Sequence, residues 1–306
     1  MTYDVVVIGG GPAGLSGAVA LGRALRTVLV IDSGTPRNAP ADGIHNYLTR
    51  DGIPPGEYAS IGRSEVVRFG GEIIAGEVIG VTGSAPSFQV ALADGSTVSA
   101  RRLLVTTGTA DVLPDVPGLA ERWGKTVLHC PYCHGYEVRG KAIGVIASGP
   151  MAMHGALLWG QWTPDVTLFL NDAFAPDEEQ SRQLAARKVT VVPGALAAVA
   201  DDGVHLADGS VVPRDYLVVQ TRLEARGDLL TSIGLKPVDH PMGIGTYVPA
   251  EDPTGRTSVP GVWVAGNVTD PMAQVITSAG AGLTAGAMLN ADLVTAETVE
   301  AVAALR

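Results

Sequence analysis

The sequence has few cysteines, no cluster of basic residues and no long apolar run, and each of these shortages excludes a class of protein. Only two of the 306 residues are cysteine, which excludes a disulfide-rich secreted scaffold. No apolar run reaches the ~18 residues that indicate a membrane span. No Lys/Arg run offsets the formal net charge of −10, so binding to nucleic acid or to an anionic membrane is not expected.

The remaining composition is typical of a compact enzyme. Hydrophobic residues make up 46% of the chain and charged residues 17%, and there are 39 glycines. A chain of 306 residues is longer than a single core usually supports, which predicts two domains. The N-terminus lacks the basic region and cleavage site of a secretory signal, and one cysteine pair suits a reducing compartment. We therefore expect a cytoplasmic protein.

Both cysteines lie in one stretch, His-Cys-Pro-Tyr-Cys-His-Gly-Tyr-Glu, over residues 129–137. The C-x-x-C spacing allows a short disulfide loop and can depress one thiol pKa to about 7 or below, which favours dithiol–disulfide chemistry. A zinc site usually needs a second ligand pair, and the sequence has no other cysteine. Cys130 to His134 also spells the C-x-x-C-H of c-type haem attachment, which belongs outside the cytosol. Two thiols without a function are the third alternative.

The chain opens with a strand–turn–helix–strand pattern. An apolar, β-branched run over residues 3–8 predicts a parallel strand buried on both faces. It continues into G-x-G-x-x-G over residues 9–14, which begins a helix that extends to Arg23, and a second strand follows over residues 27–31. This order is typical of a dinucleotide-binding unit.

The individual residues of this fingerprint have distinct physical roles. Gly9 permits a tight turn, Gly11 lets the backbone approach a pyrophosphate, and Gly14 lets helix and strand pack closely. The helix N-terminus offers unpaired N–H groups to phosphate. Asp32 follows Gly14 by 18 residues, close to the ~20 at which the fingerprint places a ribose acceptor.

A long segment rich in Pro, Gly and Asn follows, over residues 33–56. Loops of this length in compact domains are usually functional, and the polar candidates here are Arg37, Asn38, His45 and Asn46. Ordinary solvent-exposed loop residues are the alternative for each of them.

The rest of the first half alternates between helix and strand signals. The pattern predicts a helix over residues 56–70, a strand over 71–81, a hairpin over 88–98 around an Asp-Gly turn, and a strand over 102–107. Pro114, Pro117 and Gly118 then mark a boundary.

The same pattern of elements is repeated after the cysteines. The predicted elements are a strand over 141–147, a helix to Trp162, a strand over 166–170, a hairpin over 205–212 and a strand over 216–220. The Ala-Asp-Gly-Ser of the second hairpin lies 114 residues after its first copy, so the chain holds two dinucleotide-type units in tandem.

The second unit departs from the fingerprint. Ala147 and Ala152 replace its first and third glycines, and Met151 is bulky. The segment after the second strand holds four acids and no base before Arg182, and these acids are Asp172, Asp177, Glu178 and Glu179. An NADP 2′-phosphate needs cations at such a position, so this segment disfavours NADPH. Asp172 is interpreted either as an acceptor for an NAD ribose or as a solvated loop acid, and we favour the latter.

The C-terminal segment reads Gly-Val-Trp-Val-Ala-Gly-Asn over residues 261–267, then Gln274 and Val275 lead into a small-residue helix that ends near Glu300. A strand that ends in Gly-Asn before a helix N-terminus can bring an amide and backbone N–H groups to a ligand.

Taken in order, these motifs resemble those of low-molecular-weight thioredoxin reductases along essentially the whole chain. The resemblance implies an α/β fold of two Rossmann-like dinucleotide-binding domains, the second inserted into the first. It assigns 1–113 and 245–306 to an FAD-binding domain and 114–244 to the insert that carries C-x-x-C. It also implies a homodimeric flavoprotein.

The fingerprint, the polar residues of the long loop and the resemblance together predict the residues of the FAD site, and Asn267 stands where the family has Asp. The predicted FAD-binding residues are Gly9, Gly11, Pro12, Ala13, Gly14, Asp32, Ser33, Arg37, Asn38, His45, Asn46, Val78, Thr107, Gly108, Gly266, Asn267, Gln274 and Val275. No metal site is predicted.

Two departures move the prediction away from a true thioredoxin reductase. His134 stands where the reductases carry an acid, and an acidic segment stands where they carry an Arg-rich NADPH loop. The Cys-Pro-Tyr-Cys-His-Gly-Tyr-Glu stretch is similar to that of thioredoxin-reductase-like dithiol oxidases of the gliotoxin and holomycin type. Those enzymes pass electrons from a small-molecule dithiol to the cysteine pair, to FAD and on to O2.

The resulting hypothesis gives roles to four residues. Cys130 exchanges with the substrate dithiol, Cys133 faces the flavin, His134 takes and returns thiol protons, and Glu137 orients His134. A purely structural role is the alternative for His134 and for Glu137. The competing functions are a disulfide reductase fed by NAD(P)H or another electron donor, and a flavin-bound redox sensor.

Overall fold

The computed structural model describes residues 1–305, which form two compact units. The first unit combines Met1–Ala39, Ile53–Ala110 and the chain from Leu223 onward. The second unit combines Pro40–Gly52 and Asp111–Arg222, so the cysteine pair lies in the second unit.

The helices and strands are numbered in chain order. The α-helices are α1 (Pro12–Arg23), α2 (Pro55–Arg68), α3 (Pro131–His134), α4 (Met151–Trp159), α5 (Glu178–Ala186) and α6 (Val275–Ala303), and short 3₁₀ turns cover Ala120–Arg122, Asp228–Ile233 and Gly266–Val268. The strands of the first half are β1 (Thr2–Ile8), β2 (Val28–Asp32), β3 (Glu72–Ala75), β4 (Val78–Ser84), β5 (Ser87–Leu92), β6 (Thr97–Val105), β7 (Thr109–Val112) and β8 (Val127–Leu128). The later strands are β9 (Ile143–Ile146), β10 (Val166–Phe169), β11 (Thr190–Val192), β12 (Leu196–Ala200), β13 (Gly203–Leu206), β14 (Val211–Val212), β15 (Tyr216–Val219), β16 (Arg222–Ala225), β17 (Val238–Asp239), β18 (Thr246–Tyr247) and β19 (Val262–Val264).

The first unit is built on a seven-stranded sheet in the order β3-β2-β1-β6-β5-β4, with β19 also paired to β6. Strands β3, β2, β1 and β6 run parallel, as does β19 beside the second half of β6. The first half of β6 pairs antiparallel with β5. One long strand therefore joins the parallel sheet to the hairpin.

Alternate residues of the central strands fill two separate cores, one on each face of this sheet. Val6 and Ile8 belong to one core cluster, whereas Val5 and Val7 belong to the other. All four are at most 2% exposed. The prediction of a strand buried on both faces is therefore confirmed.

The C-terminal helix α6 packs closely against α1. A Cβ at Gly282 would lie 1.9 Å from the carbonyl oxygen of Ala13, and a Cβ at Gly286 would lie 2.7 Å from that of Gly17. Because only glycine permits this approach, the small residues of α6 are needed for helix packing. The first and last parts of the chain thereby form one unit.

The second unit has its own parallel sheet of five strands, in the order β11-β10-β9-β15-β8. A separate antiparallel sheet contains β12, β13 and β14. Helices α4 and α5 are the crossover connections of the parallel sheet, as in the first unit.

Most predicted elements are present, including both Asp-Gly hairpins, and two predictions were wrong. The single strand predicted over 71–81 is two strands that pair at opposite edges of the sheet, because the chain turns between Ala75 and Val78. The strand predicted over 102–107 is not separate: it continues the hairpin arm as β6. Within the described chain, we find no helix with the length and apolar character needed to span a membrane.

Candidate active site

The two cysteines flank the first turn of the short helix α3, directly after strand β8. Cys130 is the N-cap residue, and Pro131 occupies the first helical position, where its missing N–H costs nothing. The backbone N–H of Cys133 donates to the carbonyl of Cys130 across 3.2 Å. Both cysteine residues are partly buried. The turn therefore places the two cysteines at the N-cap and third position of one short helix, the C-x-x-C arrangement that favours dithiol–disulfide exchange.

A tryptophan fixes the position of α3. The ring of Trp162 meets Tyr132 edge-on, with ring centroids 5.7 Å apart. A Cβ at Gly135 would lie 2.8 Å from the Trp162 ring and 2.6 Å from the Pro131 carbonyl oxygen. Gly135 is thus required for the end of α3 to pack on Trp162. The sequence did not predict these roles of Trp162 and Gly135, although a glycine directly after the C-x-x-C-H motif was a usable signal.

His134 directly follows Cys133, and its surroundings shift its pKa. Burial lowers the pKa of His134 below its ordinary value of 6.5. The carboxylates of Glu137 and Asp42 oppose this shift, whereas His45 and His129 reinforce it. Because the pKa lies below 6.5, the imidazole is neutral at pH 7 and can accept a thiol proton.

The structure brings His45 and Asn46 to the cysteine helix. The Nδ2 of Asn46 donates to the backbone carbonyl of Tyr132 across 2.6 Å. The His45 ring lies between two carboxylates, with Nδ1 3.3 Å from Asp51 and Nε2 3.6 Å from Glu137. Both residues belong to the second unit, together with the cysteines.

Glu137 contacts a different histidine from the one that was predicted. Its carboxylate faces His45, and its influence on His134 is electrostatic: it favours the protonated imidazole. The hypothesis that Glu137 orients His134 therefore remains a prediction, to which the structure adds a contact with His45.

The dinucleotide fingerprint of the first unit forms a cradle at the N-terminus of α1. The Oδ1 of Asp32 accepts from the N–H of Gly10 across 3.1 Å, and its Oδ2 accepts from Arg63 across 2.9 Å. Each oxygen retains capacity for a further donor, such as a ribose hydroxyl. The sequence does not predict this role for Arg63, because Arg63 lies on α2 and no local pattern links it to Asp32.

The space around the three glycines tests whether this cradle fits the FAD that the resemblance implies. A Cβ at Gly9 would lie 2.5 Å from the Thr106 carbonyl oxygen, and a Cβ at Gly14 would lie 1.9 Å from that of Gly9. A Cβ at Gly11 would meet no atom within 4 Å. The turn is therefore closed on the protein side and open at Gly11, where the N-terminal N–H groups of α1 can receive a pyrophosphate. The residues fit a dinucleotide.

The predicted C-terminal residues meet the same cradle. Gly266 has a φ of +76°, and a Cβ there would lie 2.9 Å from the Cβ of Ala13, the second residue of α1. Asn267 donates its Nδ2 to three backbone carbonyls, those of Asp270, Pro271 and Ala273. The amide therefore holds its own loop, and its oxygen is the atom that could meet a ligand hydroxyl.

The other predicted FAD residues of the first unit have varied surroundings. Thr107 donates its hydroxyl to the Arg226 carbonyl across 2.6 Å, and the carbonyl of Gly108 accepts from the Arg226 N–H. Ser33 forms a hydrogen bond with Thr35. Arg37 and Asn38 lie in the partly buried turn after β2, Val78 packs beside the sheet core, and Gln274 and Val275 are the N-cap and first residue of α6.

In the second unit, the acidic segment before Arg182 contributes to helix capping and ion pairing. Asp177 caps α5 through a reciprocal capping box with Gln180. Glu178 and Glu179 lie in the first turn of α5, and both pair with Arg182. Asp172 has a left-handed backbone conformation with φ of +49°. Local structure thus explains three of the four acids, and the segment still carries more acidic than basic side chains.

Among residues 1–305, no group of three or more His, Cys, Asp or Glu side chains is arranged to hold a metal ion.

Residues 3–284 match the family profile of pyridine nucleotide-disulphide oxidoreductases. Thioredoxin reductase tcpT of Claviceps purpurea (strain 20.1) is 34% identical over 314 residues, which cover 95% of this chain and 94% of the relative. Thioredoxin reductase sirT of Leptosphaeria maculans is 33% identical over 310 residues, which cover 94% and 93%.

Solved structures agree with these relatives. The crystal structure of HlmI superposes with a TM-score of 0.92 at 44% identity and covers 99% of this chain and 96% of that one. An oxidoreductase from Agrobacterium tumefaciens has a TM-score of 0.92 at 37% identity, with 96% and 99% covered. The predicted thioredoxin reductase-like fold is therefore confirmed.

Proposed function

This chain belongs to the pyridine nucleotide-disulphide oxidoreductase family and is a thioredoxin reductase-like oxidoreductase and flavoprotein; from that premise we propose that it oxidises a small-molecule dithiol to an intramolecular disulfide. Cys130 and Cys133 are the redox-active pair, FAD is the flavin, and O2 is the electron acceptor.

The observation that carries this proposal is the partly buried histidine, His134, directly after the second cysteine. Burial keeps the pKa of His134 low, so at pH 7 this residue accepts protons. A carboxylic acid at that position would suit protonation of a leaving thiolate in disulfide reduction. Oxidation of a dithiol instead requires removal of two thiol protons, for which a neutral histidine is suited.

The exchange steps balance in atoms and electrons. A substrate thiolate attacks Cys130 Sγ in the oxidised pair, the Cys130–Cys133 bond breaks, and Cys133 leaves as a thiolate. The second substrate thiolate attacks the substrate sulfur of the mixed disulfide and closes the product ring, and Cys130 leaves as a thiolate. Two electrons have passed to the pair. His134 accepts one substrate proton at a time and returns it to a cysteine thiolate or to water.

The first unit holds the cofactor through the N-terminus of α1 and through Asp32, with the loop of Asn267 beside α1. FAD bound there would supply two-electron transfer from the reduced Cys130/Cys133 pair to O2, with H2O2 as the product. Asp32 keeps a hydrogen-bond acceptor for the ribose, and Arg63 holds that carboxylate in place.

A disulfide reductase is the second candidate, and the names of the relatives favour it: both are called thioredoxin reductases. Such an enzyme would draw its electrons from NAD(P)H. The degenerate second fingerprint and the acidic segment before Arg182 argue against NADPH.

Turnover of dithiothreitol in air by the purified flavoprotein tests the proposal. We expect O2 consumption with formation of H2O2 and oxidised dithiothreitol, without added NADPH. If O2 uptake does not exceed that of a Cys130→Ser, Cys133→Ser double variant, the proposed function is wrong.

Two further properties are proposed. The single cysteine pair supports a cytoplasmic protein in which the disulfide is catalytic. The resemblance and an exposed apolar face on α6 support a homodimer. Small-molecule dithiol and O2 are the proposed partners of the site.

A further inference from the structure

His45 joins a carboxylate of the cysteine motif to a carboxylate that faces water. Its Nε2 lies 3.6 Å from Oε1 of Glu137, and its Nδ1 lies 3.3 Å from Oδ2 of Asp51. The His45 side chain is 21% exposed and that of Asp51 is 65% exposed. The His45 imidazole therefore lies between Glu137, which acts on His134, and the solvent-exposed Asp51.

Two hydrogen bonds of Asn46 hold the loop that carries His45. The Oδ1 of Asp51 accepts from the Asn46 N–H across 2.7 Å. This hydrogen bond, together with the contact with His45, lowers the pKa of Asp51, so this carboxylate stays ionised at neutral pH. The Asn46 side chain anchors the loop to Tyr132 of α3. Asn46 itself has a φ of +60°, a conformation that asparagine tolerates better than most residues.

Four titratable groups act on His134, and Glu137 is the strongest of them. Glu137 and Asp42 favour its protonated form, whereas His45 and His129 disfavour it. Because Glu137 is itself 42% exposed, its carboxylate could turn toward water if the His45 ring did not hold it. Glu137 therefore contacts His45 and also raises the pKa of His134.

We propose that His45 is a positioning residue of the dithiol site, which holds Glu137 beside His134 and connects these groups through Asp51 to bulk water. The inference rests on the proposed function, since it concerns the protons that dithiol oxidation releases. One proton leaves each substrate thiol as it becomes a thiolate. His134 accepts that proton, and Glu137, His45 and Asp51 offer it a path to solvent. No electron moves along this path.

The test uses holoenzyme with isotope-labelled histidine, in which NMR follows the titration of His134 among the six histidines. A His134→Gln variant assigns the signal. His45→Gln has two opposing effects on His134: release of Glu137 lowers the titration midpoint, whereas loss of the repulsion from His45 raises it. Because Glu137 has the larger influence, we expect the midpoint to move to lower pH. Asp51→Asn should cause a smaller shift in the same direction, since its Oδ1 still accepts from Asn46 while its hold on His45 weakens. In a Glu137→Gln background, His45→Gln should no longer lower the midpoint, and loss of the repulsion from His45 should raise it.

His205→Gln is the matched control, because His205 pairs with Asp202 at 2.7 Å in the antiparallel sheet of the same unit. It should leave the His134 titration as in the wild type. Turnover of dithiothreitol at pH 7 should fall roughly tenfold in His45→Gln and remain unchanged in His205→Gln.

An unchanged or raised His134 midpoint in His45→Gln would overturn the inference, as would an equal downward shift in the Glu137→Gln background. The NMR measurement needs no turnover. A wild-type enzyme that does not oxidise dithiothreitol would instead contradict the proposed function, so the two failures are distinguishable.

Discussion

At the scale of single residues, the two cysteines have different neighbours in the chain and should not be equivalent. Cys130 caps α3, and Cys133 lies within its only turn. We predict that Cys130→Ser and Cys133→Ser each abolish turnover, because the exchange needs both sulfurs. Only Cys130→Ser should retain a long-wavelength thiolate–flavin absorbance band, since in our hypothesis Cys133 faces the flavin. Aerobic turnover and the visible spectrum check both points, and a single variant with normal turnover would contradict the dithiol mechanism.

The pH dependence of the reaction should report His134. Burial lowers its pKa below 6.5, and the base acts in its neutral form, so its contribution should persist below pH 6.5 and be lost as the imidazole protonates. We expect His134→Gln to lower kcat/KM for dithiothreitol roughly 100-fold at pH 7. The ionisation of dithiothreitol affects the wild-type and variant rates equally, so its effect cancels in their ratio. A ratio that stays constant from pH 5 to 8 would assign His134 a structural role only.

At the scale of elements, different glycines of the turn between β1 and α1 are needed for folding and for cofactor binding. A Cβ at Gly14 would lie 1.9 Å from the backbone oxygen of Gly9, so Gly14→Ala should destabilise the protein by about 1–3 kcal/mol or more. A Cβ at Gly11 would meet nothing within 4 Å, so Gly11→Ala should fold normally yet retain less FAD. Urea unfolding of apoprotein and flavin content of holoprotein give the two readouts.

This pair of variants is its own control. If Gly11→Ala binds FAD as tightly as the wild type does, the pyrophosphate does not approach the N-terminus of α1. If Gly14→Ala is as stable as the wild type, the close approach of helix and strand has little energetic value.

Local sequence patterns predict these elements well, because the signals lie within one strand–turn–helix. The two β-branched strands, the Asp-Gly hairpins and the glycine turn all follow from spacing and residue type. The break between β3 and β4 does not, since only the pairing of each half with a distant strand shows that the chain turns there. Arg63 and Trp162 were missed for the same reason: their partners Asp32 and Tyr132 are remote in sequence.

His45 illustrates a second limit of sequence reasoning. The long loop marked it as a candidate, but only the contacts with Asp51 and Glu137 show which groups it joins. The acidic segment shows the converse. Its composition indicated repulsion of a phosphate, and the structure explains Asp177 as a helix cap and pairs two further acids with Arg182.

At the scale of the whole molecule, the exposed face of α6 suits a second copy of the chain. Along one side of α6, at spacings of 7 and 11 residues, lie Ile276, Leu283 and Val294, each at least 40% exposed. We predict that the protein sediments as a dimer and that Leu283→Glu shifts it toward monomer, because the burial of a charge is costly. Ile79→Glu, at an exposed isoleucine on the edge strand β4, should leave the dimer intact. A monomeric wild type at micromolar concentration would contradict the homodimer.

The central claim is that a small-molecule dithiol, and not NADPH, supplies electrons to the flavin. Anaerobic mixing tests this claim most directly. A like-charge contact at 4 Å costs about 4 kcal/mol at an effective dielectric of ~20, and screening at an exposed loop leaves about 1 kcal/mol. The acids before Arg182 therefore disfavour the 2′-phosphate of NADPH, while NADH is not subject to this penalty. The flavin absorbance is followed after mixing the oxidised enzyme with dithiothreitol or with NADPH in the absence of O2. We predict rapid bleaching by dithiothreitol and slow bleaching by NADPH; rapid bleaching by micromolar NADPH alone would show a reductase and contradict the proposal.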